Sequence, residues 1–144
     1  MEPVWVWLQE DATADSYGEF YTSFDWEGGE TELRISADSD YTLFLNGQFV
    51  NSDQYKDFPY CKVYDRLDIT PYLHRGVNHM AVVVWHYGIG NFSYYPGPAG
   101  LWYAVSVAGK PVAVSGAETQ SRLSRAYLSN ARKNITFQLG RSFF

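Results

Sequence analysis

Two pairs of closely spaced carboxylates, Asp38 with Asp40 and Asp65 with Asp68, are the first candidates for chemistry in this sequence. A carboxylate pair can supply the general acid and base of glycoside hydrolysis, or oxygen ligands for calcium. Both pairs flank predicted strands, and an aspartate at a turn commonly accepts a hydrogen bond from the backbone two residues further on. The sequence therefore favours turn formation over acid–base or calcium chemistry for both pairs.

The histidines are His74, His79 and His86, and their spacing matches no metal-binding pattern. Cys61 is the one cysteine, so the chain can form no internal disulfide and lacks the ligands of a cysteine-based zinc site. We predict no metal site. His86 stands at the end of an apolar strand pattern. Its imidazole is suited to bonding a sugar hydroxyl, although a structural histidine is the favoured interpretation.

The segment of residues 88–100, GIGNFSYYPGPAG, is the best candidate for binding. Sugars present apolar C–H faces ringed by hydroxyls, and Tyr and Trp offer both an apolar ring and a polar tip. Long irregular loops of this kind are often functional. The candidate carbohydrate-binding residues are His86, Tyr87, Phe92, Tyr94, Tyr95 and Trp102. The alternative, which the sequence favours slightly, is that the same aromatic residues pack on a neighbouring domain.

No other catalytic or cofactor pattern is visible in the sequence. It shows no Ser-His-Asp order, no phosphate-binding glycine loop and no dinucleotide fingerprint, so we predict no catalytic residue and no cofactor. The net charge is −5 and no run of Lys or Arg occurs, which argues against nucleic acid or an anionic membrane as a partner. The N-terminus resembles no signal peptide, which favours the cytoplasm unless a signal has been removed.

The elements that must position these residues are β-strands, which the 18% content of aromatic residues favours. The strongest local signal is a hairpin over residues 41–50, where Asn46-Gly47 suits a type I′ turn. Further strands are predicted at residues 4–9, 19–26, 31–37, 61–67, 78–87, 101–108, 111–114 and 134–139. Residues 78–87 are apolar on both faces and predict a central strand covered on two sides. We expect a loop at residues 51–59, a helical turn at 68–73 and a weakly helical stretch within 115–133.

Short strands at this spacing, without βαβ alternation, predict an all-β fold of the jelly-roll β-sandwich type. The 144 residues are enough for a single domain with a core of its own. The sequence stops on Phe143 and Phe144, whereas domain ends are usually polar. We therefore expect residues 1–144 to be one β-sandwich domain cut from a longer chain.

Three segments together resemble a known module: ISADSDYTLFLNGQFV, YDRLDITPYLHRGVNHMAVVVWHYG and GPAGLWYAVSV. They are similar to the N-terminal, galactose-binding-domain-like β-sandwich of bacterial α-L-rhamnosidases, which are glycoside hydrolases. The resemblance covers about residues 4–107 and rests on structural motifs. In such enzymes the catalytic acid and base lie in a separate helical barrel domain, for which this sequence has no counterpart.

The resemblance implies a non-catalytic accessory module that scaffolds its parent enzyme, with contact to glycan as a further expected role. Its partners would be carbohydrate and the other domains of the parent chain. The first alternative is a free-standing carbohydrate-binding domain that uses Tyr94, Tyr95 and Trp102 as a platform. The second is a small enzyme that acts alone, which the lack of an assembled catalytic set disfavours.

Overall fold

The chain forms two antiparallel β-sheets whose apolar faces share one core. The structure is a computed structural model that describes residues 1–8, 13–54, 57–90 and 94–129. In these ranges the strands are β1 (Ser16–Trp26), β2 (Thr31–Asp38), β3 (Asp40–Leu45), β4 (Gln48–Gln54), β5 (Asp65–Asp68), β6 (Gly76–His86), β7 (Gly100–Val107), β8 (Lys110–Val114) and β9 (Gln120–Leu123). One 3₁₀ turn, Thr70–Tyr72, lies between β5 and β6. Within the same ranges there is no helix long and apolar enough to cross a membrane.

One sheet has five strands in the order β4-β3-β6-β1-β9, and the other has four in the order β5-β2-β7-β8. β2 and β3 follow each other directly in sequence but belong to different sheets, so the chain crosses between the layers around Ser39. The all-β, jelly-roll β-sandwich class predicted from the sequence is confirmed.

The core forms because apolar residues occupy every second position of the central strands. In β2, Leu33 and Ile35 are fully buried, and in β7, Leu101 and Val105 are fully buried. The five-stranded sheet contributes a matching set from its inner face: Phe20, Phe24, Tyr41, Leu43, Leu45, Met80, Val82 and Val84. Each such side chain, moved from water into the core, stabilises the fold by about 1.5–3 kcal/mol.

The prediction that residues 78–87 are covered on two sides is wrong. β6 is central in its sheet, but its burial alternates along the strand. Val82 and Val84 face the core, whereas Val77 and Ala81 are exposed. The five-stranded sheet has one partner layer, so one face of β6 remains at the surface although it carries apolar residues.

Other boundaries differ from the sequence prediction as well. Residues 4–9 form one isolated bridge, between Val6 and Leu101, instead of a strand in the part that is described. The predicted loop at 51–59 begins later, because β4 continues opposite β3. The stretch within 115–133 contains the exposed edge strand β9, and no helix in its described part. The strand predicted at 134–139 lies outside the described residues.

The hairpin at residues 41–50 is confirmed as β3 and β4. Asn46 and Gly47 both have positive φ, at 50° and 79°, as a type I′ turn requires. The Asn46 side chain also joins distant segments. Its Nδ2 donates to the Tyr72 carbonyl at 3.0 Å and to Asn78 Oδ1 at 2.8 Å. Its Oδ1 accepts the His79 amide at 2.9 Å, so this turn ties the 3₁₀ turn to β6.

Candidate functional site

A buried carboxylate lies where the chain crosses between the sheets. Asp38 ends β2 and is 3% exposed. Its Oδ1 lies within hydrogen-bond distance of three groups: His86 Nδ1 at 3.0 Å, the Tyr94 hydroxyl at 2.5 Å and the Ser39 hydroxyl at 3.1 Å. An ionised carboxylate only accepts, so Nδ1 of His86 carries the proton in this contact. Asp38 thus connects both sheets to the loop after β6.

The surroundings of Asp38 keep it ionised. Burial by itself raises the pKa of this carboxyl, but the hydrogen bonds from His86 and Tyr94 and the charge of Lys62 outweigh it, and the pKa lies below its ordinary value. For Tyr94, burial and the hydrogen bond to Asp38 raise the pKa to about 12. The phenol therefore stays neutral and donates to the carboxylate at physiological pH.

Lys62 extends this cluster toward the surface. Its Nζ lies 2.7 Å from Asp57 Oδ1 and 3.6 Å from Asp38 Oδ2. Asp57 also accepts the Val63 amide at 2.9 Å, which fixes the segment before β5. The ammonium of Lys62 further lies 5.8 Å from the centre of the Trp5 ring. One lysine is thus held between two carboxylates and an indole.

A cavity of about 280 Å³ opens beside these groups. Its described lining consists of Trp5, Asp38, Pro59, Lys62, Pro98 and Ala99. Four of these side chains are mainly apolar, and Asp38 and Lys62 supply the polar atoms. The cavity lies between the N-terminal segment and the chain that leads into β7.

The carboxylate pairs of the sequence behave differently from one another. Asp68 accepts the Thr70 amide at 3.0 Å, so the turn interpretation is right for this residue. Asp65 accepts the Tyr41 hydroxyl at 2.6 Å. For Asp38 the turn interpretation is wrong, because its partners include His86 on another sheet. Among the described residues, no group of three or more His, Cys, Asp or Glu side chains is placed to hold a metal ion.

Of the candidate carbohydrate-binding residues, His86 and Tyr94 are buried at 4% and 5% exposure. Both serve as partners of Asp38. Tyr87 is half-buried, with its ring centre 5.1 Å from that of Trp85 and 5.5 Å from that of Tyr94. His86, Tyr87 and Tyr94 therefore lie close together, but their side chains mainly pack inside the protein and offer little exposed surface.

Among the described candidates, Tyr95 is the most exposed, at 60%. Its ring centre lies 4.9 Å from that of Phe58, which stacks on Tyr60 at 5.3 Å. Phe58 and Tyr60 are themselves exposed, so the three rings form an aromatic surface patch. Phe92 lies outside the described residues.

Trp102 is half-buried in β7, where it alternates with the buried Leu101 and Tyr103. It therefore faces away from the core, on the outer side of the four-stranded sheet. Its ring centre is 5.9 Å from that of Tyr64, over which the Arg34 guanidinium lies at 5.9 Å. Since Tyr94 is buried, Tyr94, Tyr95 and Trp102 do not form one exposed platform.

Sequence reasoning missed the participation of Trp5, Phe58, Tyr60 and Lys62. Phe58 falls in the predicted loop at residues 51–59, Tyr60 lies between that loop and the next predicted strand, and Trp5 lies in a predicted strand. The available signal was the density of aromatic residues and prolines at 58–60, which matches that of the loop at 94–98. A clustering of aromatics in two separate loops is typical of a shared surface.

No family model and no curated protein matches this chain. Among solved structures, it is similar to the GH78 family rhamnosidase of Bacillus sp. GL1, with a TM-score of 0.79 and 33% identity over 85% of this chain and 13% of that chain. It is also similar to the Streptomyces avermitilis α-L-rhamnosidase solved with L-rhamnose, with a TM-score of 0.64 and 20% identity over 83% of this chain and 12% of that chain.

A lectin from Pleurotus ostreatus, solved in complex with GalNAc, shares the fold with a TM-score of 0.61 and 20% identity over 85% of this chain and 35% of that chain. The chain thus spans about an eighth of the length of the rhamnosidases it matches. The resemblance to a β-sandwich module of α-L-rhamnosidases, indicated by the sequence motifs, is confirmed.

Proposed function

We propose that residues 1–144 form a single accessory module of an α-L-rhamnosidase-like glycoside hydrolase. In this role the module scaffolds the parent enzyme and contacts glycan, while catalysis belongs to another part of the parent chain. The observation that carries the proposal is the match to 13% of a GH78 rhamnosidase at 33% identity over 85% of this chain. A small part of a large enzyme is thus similar to nearly all of this sequence.

The non-catalytic role is supported by the state of the best-placed carboxylate. A glycosidase needs two carboxyl groups that face the scissile bond from opposite sides. Asp38 Oδ1 instead lies against three side-chain groups and the whole side chain is buried. Its lowered pKa is also opposite to the raised pKa of a general acid.

Contact with glycan is supported by the patch of Phe58, Tyr60 and Tyr95. Exposed rings of this size can stack on the C–H faces of sugars. The same patch would also suit packing on a neighbouring domain of the parent. A free-standing carbohydrate-binding domain is the second candidate, and the same patch would be its binding surface.

The test is calorimetric titration of the 144-residue chain with L-rhamnose, D-galactose and plant-type oligosaccharides. We expect saturable binding that Tyr95→Ala weakens by about tenfold, since a ring that buries about 55 Å² of apolar surface against a sugar contributes about 1.4 kcal/mol. Phe49→Ala is the matched control, because Phe49 is 59% exposed in β4 and Tyr95 is 60% exposed. This control should bind like the wild type.

Two outcomes would contradict the proposal, and a third would contradict the assignment of Tyr95 to the binding surface. Hydrolysis of an aryl rhamnoside by the purified chain would overturn the non-catalytic assignment. A complete absence of binding to all the sugars would overturn the glycan contact and leave the patch as a surface for another domain. Binding that Tyr95→Ala and Phe49→Ala weaken equally would remove Tyr95 from the proposed surface.

A further inference from the structure

The cavity beside Asp38 has an arrangement of polar atoms that the fold alone does not require. The three contacts of the Asp38 carboxylate with His86, Tyr94 and Ser39 all involve Oδ1. Oδ2 has Lys62 Nζ at 3.6 Å as its neighbour among the described residues, a distance too long for a hydrogen bond. Oδ1 therefore has three partners, while Oδ2, which lies beside Lys62 of the cavity lining, keeps the capacity to accept a hydrogen bond.

The charges around the cavity select against ionic ligands. Lys62 lies between Asp38 and Asp57, so its positive charge is compensated locally. An anion would meet two carboxylates, and a cation would meet the Lys62 ammonium, which already faces the Trp5 ring. A neutral molecule with hydroxyl groups avoids both repulsions, because a hydroxyl can donate to Asp38 and accept from Lys62.

The apolar wall of the cavity is fixed in place by the sheet behind it. Val6 forms a pair of 2.9 Å hydrogen bonds with Leu101, and the Val4 amide donates to Ser115 at 2.9 Å. Trp5, between these anchors, packs directly on the backbone of Gly100, where an added Cβ would lie 2.7 Å from the indole ring. Trp5 is still 45% exposed, so part of the indole can contact a ligand.

We propose that this cavity binds one neutral pyranose ring, with Trp5 contacting a C–H face and with Asp38 Oδ2 and Lys62 Nζ bonding hydroxyl groups. The volume of about 280 Å³ suits a single monosaccharide unit, because pockets for larger ligands run from roughly 300 to 1,000 Å³. This inference rests on the proposed contact with glycan, and it adds a site separate from the patch of Phe58, Tyr60 and Tyr95.

The test uses methyl α-L-rhamnopyranoside, D-galactose and D-galacturonate, titrated by calorimetry and by amide NMR shifts into the 144-residue chain. We expect at least one neutral sugar to bind and the anionic galacturonate to bind more weakly than galactose. Trp5→Ala should weaken the binding by about tenfold. Ala99→Trp should abolish the binding, because its indole would occupy the cavity while Trp5, Asp38 and Lys62 remain unsubstituted. Phe49→Ala serves as the control.

Circular dichroism and thermal unfolding show whether each variant remains folded, and Ala99→Trp keeps the test valid if Trp5→Ala does not fold. If both cavity variants bind sugar as tightly as the wild type while Tyr95→Ala loses binding, the cavity proposal is wrong and the glycan contact stands. Binding of oligosaccharides without binding of any monosaccharide has the same meaning. If no sugar binds at all, both proposals fail.

Discussion

Asp38 shows how one residue can have a role that its neighbours in sequence do not indicate. Asp38 and Asp68 both stand beside strands, and the turn interpretation suits either one from the sequence. Asp68 is exposed and bonds the amide two residues on, whereas Asp38 is buried against His86 and Tyr94. The distinction depends on which strands meet at the sheet crossing, and no local pattern contains that information.

We expect Asp38→Asn to lower the free energy of unfolding by about 1–3 kcal/mol at pH 7, because the neutral amide accepts weaker hydrogen bonds from His86 and Tyr94 and adds a buried N–H₂ group that needs an acceptor. The pKa of Asp38 is lowered in the fold, so its ionisation stabilises the protein above the ordinary aspartate range and this contribution is lost as the pH falls below about 4. The variant should therefore lose less stability than the wild type on acidification.

The measurement is urea unfolding at several pH values between about 3 and 7. Asp68→Asn is the matched control, since Asp68 is an exposed aspartate with a local backbone partner. It should cost far less than Asp38→Asn at pH 7. Equal effects of the two substitutions would show that the buried cluster contributes nothing specific.

At the scale of elements, the hairpin was predictable and the edge strand was not. Asn46-Gly47 between alternating apolar residues is a local signal, and the turn forms as expected. β9 has four exposed residues and no alternation of burial, so its only signature is its pairing with β1. The cavity was equally invisible, because Trp5 and Gly100 meet only after folding.

Asn46 provides a prediction for the hairpin. We expect Asn46→Asp to destabilise the fold by about 1–3 kcal/mol, although Asp also suits a type I′ turn. The substitution replaces two amide hydrogen bonds by a carboxylate that faces the oxygens of Tyr72 and Asn78. Asn46→Gly should cost less, since it keeps the turn and adds no repulsion.

Thermal unfolding of the two hairpin variants at pH 7 checks this order. The difference in stability between the Asp variant and the wild type should become smaller near pH 3. There the new carboxyl is protonated and can donate one hydrogen bond. An Asp variant as stable as the wild type at pH 7 would show that the side-chain bonds of Asn46 do not hold the 3₁₀ turn to β6.

At the scale of the whole molecule, the N-terminal segment belongs to the sandwich although it forms no regular strand in its described part. Trp7 packs on Phe20 and His86, with ring centres 5.6 Å and 5.9 Å apart. Val6 adds a bridge to the four-stranded sheet. Residues 4–8 thus contact both sheets, and the side chains of Val6, Trp7 and Leu8 pack against the core.

Deletion of residues 1–8 should therefore lower the melting temperature by several degrees, since a loss of about 1 kcal/mol shifts Tm by roughly 2–8 °C in domains of this size range. Deletion of residues 1–3 alone is the control, because Met1 and Glu2 are exposed and the bridge at Val6 stays intact. Calorimetry of the two deletions gives the comparison. Equal melting temperatures would mean that the segment only covers the surface.

The place of β1 between β6 and β9 has a consequence for biosynthesis. During translation β1 leaves the ribosome well before β6 and β9. Both edges of β1 therefore stay unpaired, and Phe20 and Phe24 stay exposed, until residue 86 has emerged. The hairpin of β3 and β4 can form early, because its strands adjoin in sequence. We therefore expect the nascent chain to expose the Phe20 and Phe24 side chains during the synthesis of residues 27–86, and to fold cooperatively only after β7, the partner of β2, has also emerged.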